Sequence, residues 1–525
     1  MKRRSFLASG AALVGCALAA SGCAGGPRRV LPPGRNIDLA SVQRLEVTRI
    51  DPLLGRCAYV AHTANETASQ PVLYARTGEF CDFIVENHLP QPTTIHFHGL
   101  TLPESADGAG FDPILPGGVK RVRFQVRNRA GLYWMHAHAH GFTAEQVHAG
   151  LVALLVIRDD EDAALVASLS LESSNEIALA LADARVANGV IAPYAPSGDE
   201  CLHGWFGNRM LSNGRGDASF QVAPGWVRLR LLNACNARGL LLAFRDASTS
   251  AMPPRAFYLL GTDGGLLAAP RSLERVFLYG AERVDIAIEL KAGEKLDAVS
   301  LAFDPRHQVS GKWNRHRHPA RENYPMLAAT VLCEALGVSN TSLTDGVPMP
   351  LFTLNVSDTK RRAGGAALPE KLSTLADARQ PGITSDRRIR MDLDSQHGFL
   401  IDNQTYQIDE AGFAAERGAK EIWEIRNSPI SMPHAMHLHG FQFRVLRRQG
   451  TFGPARALAT ETNGRLPTDM GLKDTVTLWP NETLWLEVDF SLPSTKEFAG
   501  RQRYMFHCHN LEHEDGMMMR NISIS

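Results

Sequence analysis

Several features are scarce in this chain of 525 residues, and each absence excludes a class of protein. Net charge is absent because 55 basic residues balance 55 acidic ones, so the composition does not favour binding to nucleic acid or to an anionic membrane. The eight cysteines include no C-x-x-C pair, which argues against a structural zinc site and a disulfide-framed fold. Beyond the N-terminal segment no run of about 18 apolar residues occurs, so no membrane-spanning helix is predicted.

The N-terminus carries a pattern typical of an export signal. The letters "KRRSFL" place twin arginines before a short apolar stretch rich in Ala and Gly, which predicts export to the periplasm by the twin-arginine route and cleavage. Residues 1–37 are therefore interpreted as signal and linker. Sequences before Cys16 and Cys23 resemble lipid-attachment sites, so a lipid anchor, at Cys23 in particular, stays an open alternative. The oxidising compartment also leaves a Cys57–Cys81 bridge open.

Short β-type runs fill most of the remaining sequence. Runs such as "CDFIVEN", "WVRLRLLN", "FQFRVL" and "LWLEVDF" are separated by Gly, Pro and Asn turns. Long amphipathic helices are absent, and "DEDAALVASL" is a candidate for a short helix near a boundary. Two weak boundaries, near residues 158–176 and 335–352, divide the chain. We expect an all-β fold of three sandwich or barrel domains, which cover residues 38–165, 166–345 and 346–525.

Four histidine clusters stand out against this background: "TTIHFHGL", "YWMHAHAHG", "PHAMHLHGF" and "MFHCHNLEHEDGMMMR". In a strand, residues i and i+2 lie on the same face, about 6.6 Å apart, so each H-x-H pair presents two imidazoles together. Four pairs supply eight imidazoles that can converge on several metal ions: His96 and His98, His136 and His138, His437 and His439, His507 and His509. Because two clusters lie early and two lie late, we expect the metal site between the first and last domains.

Cys508 predicts a second metal site. It lies between two histidines of the last cluster but faces the opposite side of the strand, so it cannot ligate the same ions as they do. His513 and Met518 follow within reach of a returning loop, and His434 lies outside the H-x-H register of its cluster. Two histidines, one thiolate and a distant methionine are the ligands of a blue copper site. The peptide bonds on either side of Cys508 join the two sites covalently.

These motifs resemble those of the multicopper oxidases over nearly the whole mature chain. The segments "WFGNRMLSNG", "GTDGGLL" and "LKDTVTL" also resemble stretches between the family's copper motifs, and the likeness is greatest to bacterial three-domain copper-efflux oxidases and laccase-like enzymes. The resemblance implies three cupredoxin-like Greek-key β-barrel or sandwich domains and four copper ions. It also implies oxidation of a small organic or metal-ion donor with dioxygen as the acceptor, and we expect a monomer.

The resemblance also implies a ligand set, carried over by position. The type 1 copper is expected to take His434, Cys508 and His513, with Met518 in the axial position. The type 2 copper is expected to take His96 and His437. One type 3 copper is expected to take His98, His136 and His509. The other is expected to take His138, His439 and His507. Met517 and Met519 are off register and are expected to pack.

Two acids match the family's proton-relay positions. Asp107 is expected to act beside the type 2 copper, and Glu514 beside the oxygen-reducing cluster, because reduction of dioxygen to water consumes protons. Other histidines are expected to support the ligands or to lie in solvated loops, with surface copper binding as the alternative for the last three: His140, His148, His307, His316 and His318.

The chain departs from the copper-efflux enzymes around the type 1 site. Met391 is the only methionine between residues 350 and 431, so the methionine-rich insertion that covers this site is missing, and Ile430 replaces an acid. These departures predict an uncovered type 1 site that favours bulky organic donors over cuprous ions. The family also includes copper-free periplasmic cell-division scaffolds that have lost ligands. Every ligand position is filled here, so an oxidase is expected, with the scaffold as the alternative.

Overall fold

The computed structural model describes residues 29–31, 34–51, 55–247, 253–302, 348–358, 367–376, 382–394, 398–429, 431–451 and 453–525. The export signal, the lipid-anchor cysteines, Ile430 and the loop of His307, His316 and His318 lie outside these residues. Within them, strands form three pairs of sheets, named here the first, middle and third sandwich, which confirms the all-β fold class. None of the helices within these ranges is long and apolar enough to span a membrane.

The first sandwich contains two sheets and two short helices. Its strands are β1 (Arg29–Leu31), β2 (Asn36–Asp38), β3 (Arg44–Asp51), β4 (Arg56–His62), β5 (Glu66–Ser69), β6 (Val72–Arg76), β7 (Phe80–Asn87), β8 (His96–His98), β9 (Val119–Gln125), β10 (Gly131–His136) and β11 (Val152–Arg158). The sheet orders are β1-β5-β4-β3-β7-β9 and β2-β6-β11-β10-β8. The helices are α1 (Glu104–Asp107) and α2 (Thr143–Ala149). Burial alternates along β7, as expected for a strand with one face on a core.

The middle sandwich follows helix α3 (Asp160–Ser168). Its strands are β12 (Glu176–Ala184), β13 (Val186–Ala187), β14 (Val190–Ile191), β15 (Arg209–Ser212), β16 (Ala218–Val222), β17 (Gly225–Asn233), β18 (Leu240–Asp246), β19 (Phe257–Thr262), β20 (Gly265–Leu273), β21 (Arg275–Leu278), β22 (Arg283–Leu290), β23 (Lys295–Ser300) and β24 (Met349–Val356). The two main sheets run β15-β12-β17-β22-β19-β20 and β16-β24-β23-β18-β21, and β13 pairs with β14. Helix α4 (Gly198–His203) lies between β14 and β15.

The third sandwich carries the last two histidine clusters. Its strands are β25 (Arg387–Asp394), β26 (Gly398–Ile401), β27 (Phe413–Ala415), β28 (Lys420–Asn427), β29 (His434–Leu438), β30 (Phe443–Gln449), β31 (Thr475–Leu478), β32 (Thr483–Asp489), β33 (Gln502–Cys508) and β34 (Met519–Ile524). The sheet orders are β26-β25-β28-β32-β30 and β27-β34-β33-β29-β31. Its helices are α5 (Gly453–Arg456) and α6 (Leu511–Asp515), and single 3-10 turns occur at Leu39–Ser41, Ser173–Asn175, Pro467–Asp469 and Lys496–Phe498.

Two details bear on the predicted domain division. The candidate helix "DEDAALVASL" is α3, where the Asp159 carboxylate accepts a hydrogen bond from the Asp162 backbone N–H at 2.9 Å and so caps the first turn. The division at residue 165 therefore falls inside a helix. The division at residue 345 is wrong for β24, because this strand pairs with β16 and β23 of the middle sandwich. Hydrogen bonding to strands far back in the chain decides where β24 belongs.

Strand β17 shows why the run "WVRLRLLN" contains charge in a fully buried strand. Arg228 donates to Asp285 Oδ2 at 2.6 Å and to Asp162 Oδ1 at 2.7 Å, and Arg230 donates to Asp162 Oδ1 at 2.8 Å. The guanidinium groups are paired, as buried charges must be. This ion-pair group attaches α3 to the middle sandwich.

Candidate metal centre

The four H-x-H pairs meet between the first and third sandwiches. Strands β8 and β10 are neighbours, with His96 opposite His136. Strands β29 and β33 are neighbours in the third sandwich, with His437 opposite His507. The two strand pairs face each other, and all eight imidazoles of the H-x-H pairs are buried. The structure therefore brings together the residues that the sequence predicts as one cluster, at the predicted place.

His96 and His437, the predicted type 2 ligands, point their Nε2 atoms at each other across 3.3 Å. Each ring is held by its other nitrogen. The His96 Nδ1–H donates to the backbone oxygen of Asp107 at 2.8 Å, and the His437 Nδ1–H donates to the backbone oxygen of Asp474 at 2.9 Å. The two Nε2 atoms are therefore left as bare lone pairs.

His138, His439 and His507 form one of the two predicted type 3 groups. The His507 Nε2 atom lies 3.0 Å from His439 Nε2 and 3.3 Å from His138 Nε2. The His439 Nδ1–H donates to Asp107 Oδ2 at 2.8 Å, and the His507 Nδ1 lies 3.2 Å from the Cys508 backbone oxygen. The ligand atoms of the three histidines lie within 4.8 Å of one another.

His98, His136 and His509 form the other predicted type 3 group. The His136 and His509 Nε2 atoms lie 3.4 Å apart, and the His136 Nδ1 lies 3.0 Å from the Ala137 backbone oxygen. His98 is turned the other way. Its Nε2 lies 3.0 Å from Asp474 Oδ1, and its buried Nδ1 has no hydrogen-bond partner.

Electrostatics keep these imidazoles neutral. Burial lowers the pKa of every one of the eight histidines, to about 3 for His507 and well below the usual range for the other seven, and neighbouring imidazoles lower most of them further. Neutral rings whose Nδ1–H is donated outward have bare Nε2 lone pairs that face each other. Two lone pairs cannot hydrogen-bond, so a cation between them is the partner that this geometry fits.

The Cys508 site is separate and is formed by the third sandwich. The Cys508 Sγ atom lies 3.5 Å from His434 Nδ1 and 3.5 Å from His513 Nδ1, and these two nitrogens are 3.2 Å apart. Burial raises the pKa of the Cys508 thiol to about 12, so ligation as a thiolate depends on the charge of a cation. His434, Cys508 and His513 are thus brought together as predicted.

Met518 and the chain on either side of Cys508 are arranged as the sequence predicts. Met518 is buried in the same core as Cys508, and its backbone accepts a hydrogen bond from the Cys508 N–H at 3.0 Å. Its axial role stays a prediction. Met519 is also buried, and Met517 is partly buried against it, in agreement with packing roles. Since residues 507 to 509 are consecutive, the peptide backbone directly links the two sites.

The type 1 site is covered, so the prediction of an uncovered site is wrong. His434 and His513 are both 0% exposed. The His513 Nε2–H donates to the Leu202 backbone oxygen of α4 at 2.9 Å, and the Phe399 ring centroid lies 4.1 Å from that of His513. The Ser431 hydroxyl lies 2.8 Å from His434 Nε2. A missing methionine-rich insertion did not imply an open site because a helix from the middle sandwich takes its place.

Asp107 lies at the cluster with no exposed surface, at the end of α1. Its carboxylate accepts from His439 at 2.8 Å, whereas its Oδ2 is 3.8 Å from His96 Nδ1. The carboxylate therefore contacts a predicted type 3 ligand most closely, and the backbone oxygen holds the predicted type 2 ligand. Burial raises the pKa of Asp107 to about 6.

Glu514 lies in helix α6. Its carboxylate oxygens lie 3.4 Å from His138 Nε2 and 3.4 Å from His507 Nδ1. Burial raises the pKa of Glu514 well above its usual range, and the neighbouring charge of Asp515 raises it further. Burial therefore favours the protonated form of this carboxyl group beside the histidine cluster.

Sequence reasoning missed three residues that hold the ligands. Asp474 and Arg283 form a buried ion pair next to His98. Trp134 stacks on His136 with ring centroids 4.2 Å apart. Asp474 lies in the "LKDTVTL" segment, which resembles the family, but the resemblance did not indicate a role for this residue. No sequence motif pointed to Arg283.

The two described histidines that the sequence assigned a supporting role, His140 and His148, lie beside other side chains of the site region. The His140 ring contacts Tyr406, with centroids 5.5 Å apart, beside the cluster. The His148 Nε2 lies 3.3 Å from the Ala192 backbone oxygen, and its ring packs against Trp205.

Cys57 and Cys81 are both buried, and no bridge joins them.

Comparison with known proteins agrees with this site. Two multicopper oxidase family models match residues 50–162 and 375–525, which include all four histidine clusters. The chain is 25% identical over 460 residues to the multicopper oxidase mco of Staphylococcus aureus, covering 87% of this chain and 82% of that protein. It is also 27% identical over 508 residues to the cell division protein FtsP of a Rahnella species, covering 95% and 94%.

A solved structure shows the same fold. The McoA multicopper oxidase of Aquifex aeolicus superimposes with a TM-score of 0.73 at 25% identity, covering 95% of this chain and 100% of that one. The fold and the paired histidine clusters define a protein built from cupredoxin-like sandwiches with copper-type donor sets. This chain belongs to the multicopper oxidase family. The family implies copper binding, and the facing lone pairs and the Cys508 donor set fit copper.

Proposed function

We propose that this protein is an oxidase that couples one-electron oxidation of a donor at a type 1 copper to four-electron reduction of dioxygen to water at a trinuclear copper cluster. His434, Cys508 and His513 would hold the first copper, and the eight histidines of the H-x-H pairs would hold three more. When bound, copper supplies the one-electron redox chemistry and the binding of dioxygen. The observation that carries the proposal is the complete and buried set of histidine and cysteine donors.

The protein itself performs three tasks in this scheme. The outward hydrogen bonds of the ring nitrogens orient the ligands before copper binds, which lowers the reorganisation needed at the site. Burial of the clusters excludes bulk water. Asp107 and Glu514 are carboxyl groups that contact His439, His138 and His507 and can deliver protons where reduction of dioxygen consumes them.

The donor is proposed to be a small organic molecule such as a phenol, or a metal ion such as Cu(I). The burial of both type 1 histidines supports donors that transfer an electron without contacting an imidazole edge. The hydrogen bond between His513 and the Leu202 carbonyl joins α4 directly to the site. Oxidation rates with phenols and with cuprous, ferrous and manganous ions would decide between these donor classes.

Copper loading tests the proposal directly. We expect the purified wild-type protein to bind four copper ions per chain and to show the intense blue absorption of a cupric thiolate, because the donor set is complete. Metal analysis and an absorption spectrum measure both quantities. A colourless protein that holds zinc, or no metal after copper loading, would refute the oxidase.

A copper-free role in cell division is the second candidate. It is supported by the likeness to FtsP, a cell division protein that matches 95% of this chain. The retained donor set favours the oxidase, because the facing lone pairs of buried imidazoles lack a partner without a cation. The copper-loading experiment distinguishes the two candidates, since a scaffold needs neither copper nor a blue spectrum.

Met518 is expected to tune the type 1 site without being needed to assemble it. Met518→Leu should keep the blue copper and raise its reduction potential, because a weak axial donor is lost while the three strong ligands remain. A redox titration of the blue absorption measures the potential. Loss of all type 1 copper from this variant would show that Met518 is not a distant axial ligand.

We also propose export to the periplasm by the twin-arginine route, on the basis of "KRRSFL", and a monomeric state, with a lipid anchor at Cys23 or Cys16 as an open alternative. Cell fractionation tests the export, and a cytoplasmic location of the mature chain would refute it. The intact mass of the mature protein tests lipidation, and light scattering tests the oligomeric state.

A further inference from the structure

We propose that Arg283 is a positioning residue for the histidine cluster and that it acts through Asp474 on the ring of His98. Arg283 begins β22 of the middle sandwich, a part of the molecule that supplies none of the predicted ligands. The inference rests on the proposed copper site and adds the pair of residues that orients one of its ligands. Arg283 and Asp474 are together called the clamp.

Every N–H of the Arg283 guanidinium has an acceptor. Two go to Asp474, with Nη1 to Oδ1 at 2.6 Å and Nη2 to Oδ2 at 2.5 Å. The other three go to backbone oxygens, with Nε to Leu132 at 3.1 Å, Nη1 to Ala281 at 3.1 Å and Nη2 to Asp263 at 3.1 Å. A guanidinium has five such hydrogens, so its donor capacity is used completely. Both side chains of the clamp are 0% exposed.

These contacts tie the three sandwiches together at one point. Arg283 and Asp263 belong to the middle sandwich, Leu132 lies on β10 of the first, and Asp474 directly precedes β31 of the third. Strand β10 ends at His136, a predicted ligand. The clamp therefore connects the strands that carry ligands from both sides of the interface.

Asp474, which Arg283 holds in place, accepts hydrogen bonds from two predicted ligands. Its Oδ1 atom accepts from His98 Nε2–H at 3.0 Å while it also accepts from Arg283. Its backbone oxygen accepts from His437 Nδ1–H at 2.9 Å. A bidentate arginine fixes both the position and the rotation of a carboxylate. The hydrogen bond from His98 to this carboxylate therefore fixes the orientation of the His98 ring.

The clamp sets the tautomer of His98. Because the Nε2–H is donated to a carboxylate, the ring takes the tautomer with a bare Nδ1, and this buried Nδ1 has no protein partner. Five of the other rings do the reverse, donating or directing Nδ1 outward and facing Nε2 inward: His96, His136, His437, His439 and His507. The clamp thus makes Nδ1 the nitrogen that His98 offers to the metal.

The residue after His98 is a glycine, and its lack of a side chain leaves room for the clamp. Gly99 has φ of +87°, and a Cβ at this position would lie 2.5 Å from Asp474 Oδ2 and 2.8 Å from Arg283 Nη2. A glycine is required for the conformation and for the close approach. The glycine of "IHFHGL" is therefore explained by contact with residues from the other two sandwiches.

Arg283→Lys is the first test, since a lysine keeps the charge but lacks the planar fork that holds a carboxylate in one rotation. We expect the copper affinity of the histidine cluster to fall about 10- to 100-fold, the range typical for loss of a group that orients a ligand. The blue absorption should be unchanged, because the Cys508 side chain lies on the face of β33 opposite to His507. Competition with a chelator measures the affinity, and thermal unfolding measures the folded state.

Arg448→Lys is the matched control. Arg448 is also 0% exposed and binds Asp469 through two nitrogens, at 2.6 Å and 2.8 Å, within the third sandwich. It should destabilise the fold by a similar mechanism without weakening copper binding. Equal losses of copper affinity in both variants, or unchanged affinity in Arg283→Lys, would overturn the positioning role. If Arg283→Lys does not fold, Asp474→Asn decides by the same measurements, because it keeps the size of the side chain.

A metal-free measurement separates this inference from the proposed function. In wild-type protein without copper, labelled with 15N-histidine, solid-state NMR should show His98 protonated at Nε2 and bare at Nδ1, with the Nδ1 proton appearing in Asp474→Asn. Protonation at Nδ1 in the wild type would overturn the clamp, whatever copper does. A wild type that shows the expected tautomer but binds no copper would refute the oxidase and leave the clamp standing.

Discussion

Cys508→Ser should abolish both the blue absorption and turnover. The blue colour arises from a soft thiolate bound to cupric ion, and a serine hydroxyl at the same place is a hard and weakly acidic donor that cannot replace it. The same substitution removes the sulfur that joins the type 1 site to the backbone between His507 and His509. The absorption spectrum, the copper content and steady-state oxidation of a donor measure the effect.

The expected loss is confined to one of the four proposed coppers. The eight histidines of the H-x-H pairs do not contact the Cys508 side chain, so Cys508→Ser should keep the trinuclear copper and lose one ion per chain. Cys235→Ser is the matched control, because Cys235 is also buried but lies in the middle sandwich, where its Sγ lies 3.7 Å from the Leu181 backbone oxygen. A blue Cys508→Ser protein, or a colourless Cys235→Ser protein, would contradict the assignment.

Glu514→Gln should slow the reaction with dioxygen while electron uptake continues. The substitution keeps the size of the side chain and removes the titratable carboxyl group that lies 3.4 Å from His138 and from His507. General acid help is typically worth about 10²- to 10⁴-fold, so steady-state turnover should fall by a large factor. In a stopped-flow experiment the blue colour should fade at the wild-type rate with donor and return slowly with oxygen.

A second acid on the same helix supplies the control for this variant. Glu512 is also buried in α6, but its Oε1 accepts from the Tyr194 hydroxyl at 2.9 Å and from Asn236 at 2.9 Å, away from the histidine cluster. Glu512→Gln should therefore return to the blue state at nearly the wild-type rate. If the colour returns equally fast in Glu514→Gln and in the wild type, protons reach the cluster by another group.

The sequence alone was enough to predict the donor groups, because the information is local. In a strand the side chains at i and i+2 share a face and the one between them does not, so H-x-H and His-Cys-His patterns already separate eight histidines from Cys508. The placement of two clusters early and two late predicted a site between the first and third sandwiches. Short alternating runs predicted the all-β class for the same reason, since burial on one face of a sheet leaves a period of two.

Only the tertiary structure decided what surrounds and orients those donors. Arg283 and Asp474 are 191 positions apart, and no local sequence pattern around either residue predicts that the two form an ion pair. The Leu202 carbonyl that covers His513 comes from 311 positions earlier, and it overturned the open type 1 site inferred from a missing insertion. Strand β24 joined the middle sandwich against the predicted division. In each case the outcome depends on contacts between segments that are far apart in the chain. Shape, backbone pairing and buried charge pairs decide these contacts, and a local periodicity in the sequence does not predict them.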